Sequence, residues 1–301
     1  MNSKVLVSGA SGLVGSALVR TLRSSGWTVV SLVRPQSANR PNGEQIVWEP
    51  SRPLAPEAVS GFDAVVHLAG ESIMGRWSSG KKARIMDSRV TGTRNLSQAL
   101  AEAEEKPAVF ISGSAIGYYG DRGDEGLTEA SAPGTGFLAE VAEKWEEATT
   151  ASVQADIRTA HIRTGIVLST NGGALAAMLT PFKLGLGGRV GSGQQWMSWI
   201  DVQDMVGAIH HILKNDLIQG AVNLVAPKPV RNEEFAKTLA SVLSRPAILP
   251  MPAFAVKAVF GEMGEALLLG SQRVEPGKLI SSGYPFRYRE LRRSLEGMLK
   301  R

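Results

Sequence analysis

Residues 4–15 read Lys4-Val5-Leu6-Val7-Ser8-Gly9-Ala10-Ser11-Gly12-Leu13-Val14-Gly15, an apolar run that breaks into glycines spaced three apart and continues as a helical pattern. The spacing predicts a strand over 4–8 and a helix over 13–22, with apolar positions 14, 18, 19 and 22 on the buried side. That geometry suits one task, holding the pyrophosphate of a dinucleotide against a helix N-terminus. Gly9 is expected to allow the tight turn off the strand and Gly12 to let backbone N–H groups approach phosphate. Gly15 is expected to let the helix pack closely on the sheet.

Outward from this motif, strand-like runs alternate with helical patterns, which implies βαβ units and a parallel sheet. Gly26 closes the first helix, and strands are predicted at 28–33, 64–69, 108–112, 161–168 and 221–225. A polar, proline-rich stretch runs from Pro35 to Pro56 and predicts a short strand at 45–48. Helices are predicted over 82–103 and 136–153, and residues 196–201 are expected to lead into another. Beyond 226 come two helical patterns and several prolines with no further parallel-sheet signal. The expected fold is α/β, a Rossmann doubly wound parallel sheet over 1–225 with substrate-lobe insertions near 170–200. A smaller C-terminal cap lobe is expected over 226–301.

With 43% hydrophobic and 20% charged residues, the chain has enough apolar material for a full core. Thirty-three basic against 28 acidic residues leave +5, spread along the chain with a concentration at Arg287, Arg289, Arg292, Arg293, Lys300 and Arg301. That cluster fits the polar face of a last helix carrying Leu291, Leu295 and Leu299, and no nucleic-acid motif accompanies it, so no nucleic-acid partner is expected. Zero cysteines exclude disulfides, a thiol nucleophile and cysteine-ligated metal. The four histidines (67, 161, 210 and 211) lack metal-ligand spacing, and no metal is expected. No signal segment or membrane-length apolar run is present, so a cytoplasmic protein without a membrane partner is expected.

Where an NAD-preferring fold places an acid at the end of its second strand, this chain has Ser31-Leu32-Val33-Arg34. A guanidinium can grip a 2′-phosphate with two bonds, so Arg34 favours NADP(H) over NAD(H).

The glycine motif, His67-Leu68-Ala69-Gly70, Ser112-Gly113-Ser114 with Tyr119-Gly120, and Arg163-Thr164-Gly165 together resemble the extended short-chain dehydrogenase/reductase superfamily. Further stretches narrow the likeness: Ala69–Ile73, Asp87–Thr93, Trp196–Ile200, Asn223–Pro227 and the segment from Arg245-Pro246 to Pro276. They resemble its atypical "epimerase family protein" subgroup, the YfcH-like proteins with a C-terminal domain of unknown function. The resemblance implies that Gly9, Ser11, Gly12, Leu13, Val14, Gly15 and Arg34 line the cofactor. It also implies that Leu68, Ala69 and Gly70 pass beneath the adenosine half, and that Ser112 and Gly113 approach the nicotinamide. Glu71 is a candidate to bond a cofactor or substrate hydroxyl, or to sit as a helix-dipole partner.

The superfamily's Tyr-x-x-x-Lys acid–base pair is missing. Four residues after Tyr118, Tyr119, Tyr284 and Tyr288 stand Arg122, Gly123, Tyr288 and Arg292. The helix expected to carry the pair, around 137–147, has no tyrosine and one lysine, Lys144, and the asparagine expected before Val90 is Arg89. Ser114 remains in its expected place. The substitute catalytic candidates are Ser114, Tyr118, Tyr119 and Arg89, with Lys81 or Lys82 as alternative charge partners. Trp77, Trp196, Met197 and Trp199 are candidates for an apolar wall over the nicotinamide. Three readings remain at this point. One is an NADP(H)-dependent oxidoreductase or epimerase-like protein whose small-molecule substrate is a sugar nucleotide or a carbonyl compound. The second is a catalytically silent NADP(H)-binding regulatory module, and the third an interaction protein with a vestigial pocket.

Overall fold

The computed structural model describes residues 3–37 and 43–300, so five positions of the proline-rich stretch and Arg301 of the basic cluster lie outside the described residues. Five strands open the central sheet: β1 (Lys4–Ser8), β2 (Thr28–Val33), β3 (Gln45–Val47), β4 (Ala64–His67) and β5 (Val109–Ala115). Strands Arg158–Thr164 and Gly220–Leu224 complete it. The spatial order is Gly220–Leu224, Arg158–Thr164, β5, β4, β1, β2, β3, and every pairing is parallel. The chain builds outward from β1 in one direction and returns through β4 in the other. The order therefore reverses beside the turn that follows β1, the place where open α/β sheets bind ligands.

Parallel strands covered on both faces read as continuous apolar runs, and Val5, Leu6 and Val7 are each fully buried. Val5 and Val7 face α1 (Leu13–Ser24), where they meet Leu18 and Leu22. Leu6 faces the opposite side, where Leu96 and Leu100 of α2 (Ser79–Glu102) cover it. Burying each such side chain contributes about 2 kcal/mol. Alternation of the two faces along β1 thus ties a helix to each side of the sheet, which is the doubly wound arrangement expected.

Element boundaries differ from the sequence reading in two places. The helix expected over 136–153 is two, α3 (Phe137–Glu147) and α4 (Thr150–Gln154). The strand expected over 161–168 breaks at Gly165, where a Cβ would fall 2.5 Å from the Ser198 carbonyl oxygen. Past that contact, Ile166–Leu168 leaves the main sheet and pairs with Trp199–Asp201. Residues 196–201 are extended, and Asp201 then caps α6 (Val202–Lys214) by accepting from the Gln203 N–H at 2.7 Å.

The remaining helices are α5 (Gly173–Lys183), α7 (Asn232–Val242), α8 (Ala253–Gly264, bent at Gly261), α9 (Gly277–Ser281) and α10 (Leu291–Leu299). A second core joins Leu168, Leu175, Phe182, Met197 and Trp199 to Phe235, Leu239, Leu291 and Leu295, drawing residues from both sides of position 226. Buried Asp204 moors the C-terminal segment to α6 by accepting from the N–H groups of Arg287 and Tyr288, both at 2.8 Å. No described helix is long and apolar enough to cross a membrane.

Candidate functional site

The glycine turn is built by steric necessity. Gly9 has φ +70°, and a Cβ there would lie 2.8 Å from the Ala69 nitrogen. At Gly15 a Cβ would lie 2.1 Å from the Gly9 carbonyl oxygen, so the first turn of α1 rests on the glycine turn itself rather than on the sheet. Gly12 is the extended N-cap of α1, and its N–H donates to the Gly9 carbonyl at 3.0 Å. No side chain caps α1 and no acid stands in its first turn. The first-turn N–H groups therefore point outward beside the bare Gly12 backbone and carry the helix's partial positive charge. This cradle fits a pyrophosphate. Beside it runs a groove of about 520 Å³ between Ser11, Gly12, Leu13 and Arg20 on one bank and Ser169, Asn171, Gly172 and Val202 on the other.

The opposite wall is held from beneath. The Ser8 hydroxyl accepts from the N–H groups of Leu68 (3.2 Å) and Ala69 (3.3 Å), so its own proton goes to Nδ1 of His67 at 2.6 Å. His67 is fully buried, its Nε2 has no partner among the described residues, and burial pulls its pKa down to about 4. The ring is therefore neutral at physiological pH. The unfolded chain binds this proton near pH 6.5 and the folded chain near 4, so stability present above 6.5 is lost as pH falls between the two. The loss totals about 3 kcal/mol. Urea denaturation at stepped pH should show it, and His67→Asn should flatten that part of the profile.

Charges gather around the loop that leaves β4. Glu71 accepts from Lys81 Nζ at 2.7 Å, with Arg84 Nε at 3.9 Å. The Lys81 hydrogen bond holds the Glu71 carboxyl below its ordinary range against the opposing effect of burial, with help from Arg84 and from Arg34 across β1. Arg34 itself is exposed on the chain just past β2. Arg89 of α2 donates from Nη1 to the carbonyls of Glu71 (2.9 Å) and Ile85 (3.2 Å) and lies 5.0 Å from the Trp145 ring. A Cβ on Gly70 would come 3.1 Å from the Arg89 Cζ, so the guanidinium lies directly beneath that backbone. Burial lowers the Arg89 pKa to about 10, which leaves it a cation at neutral pH.

The other candidates surround Arg163. Ser114 donates to Glu146 Oε1 at 2.6 Å, and Arg163 grips the same carboxylate through Nε and Nη2, both at 2.8 Å. Arg163 stacks on Tyr118, 3.5 Å from the ring centroid, and donates from Nη1 to the Tyr119 hydroxyl at 3.0 Å. Tyr119 is fully buried and donates onward to Asn223 Oδ1 at 2.7 Å, and burial raises its pKa. Its hydroxyl is thus engaged by protein groups, accepting from Arg163 and donating to Asn223. Ser112 is also fully buried, and Gly113 is pinned because a Cβ would fall 2.6 Å from the Trp145 ring. The Trp145 ring thus packs against both Gly113 and the Arg89 guanidinium.

Two residues went unrecognised in the sequence. Glu146 reads there as one acid among many on an amphipathic helix, and Asn223 as an interior strand residue, yet both close the Arg163 network. The expected apolar wall is also dispersed. Trp199 is buried in the second core, and Trp196 sits between Arg231 and Arg273 with Nε1 donating to Asp124 at 2.9 Å. Trp77 packs edge-to-face on Phe137, with ring centroids 5.1 Å apart. Lys82 pairs with Glu262 at 2.6 Å and so ties α2 to α8. Among the described residues no group of three His, Asp or Glu side chains has the geometry to hold a metal.

Residues 5–224 match the NAD dependent epimerase/dehydratase family. The chain belongs to that family. Residues 251–297 match a Domain of unknown function (DUF1731). Among family relatives, the epimerase family protein Mb2239 of Mycobacterium bovis is 41% identical over 98% of this chain and 97% of its own. The human epimerase family protein SDR39U1 (isoform 2), crystallised with NADPH, superimposes with a TM-score of 0.90 at 32% identity, covering 99% of each chain. MoeE5, crystallised with UDP-glucuronic acid and NAD, shares the fold at a TM-score of 0.78 and 20% identity, over 99% of this chain and 98% of that one. As a member of this epimerase/dehydratase family the chain keeps the dinucleotide cradle but has no tyrosine on α3. In its place Phe137, Leu138 and Val141 enter an apolar cluster with Trp77, Ile85 and Met263.

Proposed function

We propose that this protein binds NADP(H) and acts as an oxidoreductase on a small carbonyl compound in a reducing, cytoplasmic setting. The observation that carries the reading is the Gly9–Gly15 cradle with Arg34, and no acid, at the end of β2. A whole-length structural relative crystallised with NADPH supports it. In this reading the first-turn N–H groups of α1 hold the pyrophosphate, with Ser11, Leu13 and Val14 lining it. Leu68, Ala69 and Gly70 support the dinucleotide from the side, and Arg34 binds the 2′-phosphate. The positive charges of Lys81 and Arg84 beside Glu71 offset the repulsion between its carboxylate and that phosphate. The bound dinucleotide would supply or accept a hydride near the end of β5. There Ser114, whose one proton is on Glu146, faces a substrate as an acceptor only, and Arg89 supplies positive charge.

Titrating NADPH and NADH into the purified protein while following nicotinamide fluorescence tests this. NADPH should bind the more tightly, and Arg34→Ala should weaken NADPH about tenfold while leaving NADH unchanged. Preference for NADH would remove the role of Arg34, and failure to bind either would overturn the reading. The absent tyrosine–lysine pair favours a second reading, a silent NADP(H)-binding module. Substrate-dependent oxidation of NADPH decides between the two.

A further inference from the structure

We infer that Tyr118 is the proton donor of this site, its phenol serving the reacting oxygen while the Arg163 guanidinium beneath the ring attracts the charge left behind. This inference rests on the NADP(H) reading above and names the acid which that reading lacks.

The first observation concerns protons. Hydride transfer to a carbonyl carbon leaves an alkoxide, so a donor must touch the reacting oxygen. Around the end of β5 the other candidates are committed. Ser114 gives its proton to Glu146 and Tyr119 gives its own to Asn223. Lys81 and Lys82 are held by Glu71 and Glu262 at 2.7 and 2.6 Å. Arg89 bonds through Nη1 alone among the described residues, and a guanidinium with a free edge attracts a developing charge but gives up no proton. Tyr118 differs from all of these. Its ring is half-buried, yet its hydroxyl has no hydrogen-bond partner among the described residues. The sealed, unpaired side-chain atoms there are His67 Nε2 and His210 Nε2, so the Tyr118 oxygen is open to a ligand.

The second observation is position. Tyr118 lies in the single turn Ile116–Tyr119 directly after β5. A Cβ on Gly117 would stand 3.2 Å from the Leu138 Cβ, so this turn packs on the start of α3, the helix that lacks the expected tyrosine. Ser114 and the Tyr118 ring also flank one ion pair. Ser114 lies 2.6 Å from Glu146 Oε1, and the ring centroid lies 3.5 Å from the Arg163 Cζ.

The third is the mounting of the ring. Glu146 grips Arg163 along its Nε–Nη2 edge and leaves the flat face to Tyr118. Tyr119 stands edge-on to the same ring, with centroids 5.4 Å apart, and the Tyr118 carbonyl accepts from the Gly134 N–H at 2.9 Å. The phenol is thus fixed before a substrate arrives. As its O–H bond breaks, negative charge spreads from the oxygen into the ring and against the cation, so the attraction grows in the transition state. The hydride goes to the carbonyl carbon and the Tyr118 proton to the carbonyl oxygen, giving an alcohol. Water then returns a proton to the phenolate. Arg163 acts through Tyr118 and is a positioning residue.

The decisive test needs no turnover. With 3-fluorotyrosine at the four tyrosine positions, Tyr118→Phe assigns the Tyr118 resonance in the fluorine NMR spectrum. NADP+ should move that resonance, and 2′,5′-ADP, which lacks the nicotinamide, should leave it in place. The kinetic arm uses NADPH with 4-nitrobenzaldehyde or 2,3-butanedione. Tyr118→Phe keeps a ring on Arg163 and should lower kcat about a hundredfold with NADPH affinity retained, and the normal solvent deuterium effect should vanish with it. Arg163→Lys keeps a charge without the flat face and should lower kcat about tenfold at unchanged KM for NADPH. Tyr288→Phe should change none of these quantities. If NADP+ binds and the Tyr118 resonance stays in place, or if Tyr118→Phe turns over normally, this inference falls and the NADP(H) reading stands. Wild-type protein that reduces neither probe also overturns the acid role and favours the silent module. Failure to bind either form of the dinucleotide overturns the reading beneath and this inference with it.

Discussion

Gly15→Ala is expected to abolish dinucleotide binding and to cost about 3 kcal/mol of stability. The new Cβ would stand 2.1 Å from the Gly9 carbonyl oxygen and 3.0 Å from the Ala10 Cα, and both neighbours are backbone. Neither can turn aside as a flexible side chain would, so the glycine turn or the first turn of α1 must move. Gly9 cannot yield, because at φ +70° it is already packed against the backbone of Leu68 and Ala69. The displacement therefore falls on α1 and spreads the N–H groups that form the cradle. Gly12→Ala separates binding from folding. Its φ of −74° is open to any residue, and its Cβ would meet only the Gly9 oxygen at 3.3 Å. That variant should fold with little loss of stability while NADPH affinity falls at least tenfold, since the methyl group stands where phosphate would approach. Urea denaturation together with nicotinamide fluorescence reads both quantities. Equal loss of stability in the two variants would show that Gly12 is structural as well.

Breaking the Arg163–Glu146 pair is the second large effect. The two side chains are 5% and 12% exposed, so Arg163→Met strands a carboxylate with only Ser114 as a side-chain hydrogen-bond partner among the described residues, and a cost of about 4 kcal/mol is expected. Arg163 is held charged because the Glu146 and Tyr119 bonds outweigh its desolvation, so Glu146→Leu should be similarly damaging. The double variant Glu146→Leu/Arg163→Met removes both charges and should recover most of the loss, because a matched apolar pair leaves no unpaired ion. Additive losses in a urea double-mutant cycle would contradict this coupling. The pair also carries the Tyr118 stack and the Tyr119–Asn223 bond, so its loss should loosen the turn after β5 beside Ser114.

Much of this protein could be read along the chain because the deciding interactions are local. The β1 run, the turn and the start of α1 lie within fifteen residues, and a glycine that must avoid its own preceding turn announces itself by spacing. The alternation of apolar runs with helical patterns likewise predicts a parallel sheet. Gly165 shows where that local reading ends. Nothing nearby in sequence marks it as a break, since the atom that forbids a Cβ is the carbonyl of Ser198, thirty-three positions away. The same holds for Trp199, which sequence reading places near the ligand and which packing places in the second core under α7 and α10.

The amino-acid sequence by itself determined the dinucleotide-binding half of the fold, the cation at the end of β2 and the lack of a tyrosine–lysine pair. Each of these depends on residue type within a few positions. Tertiary structure alone decided which polar groups have their protons engaged, that Tyr119 is closed inside, and that Arg89 keeps a free edge beneath Gly70. Those properties depend on burial and on partners brought from distant strands and helices, and the strength of a charge or hydrogen bond follows from how much water such packing removes.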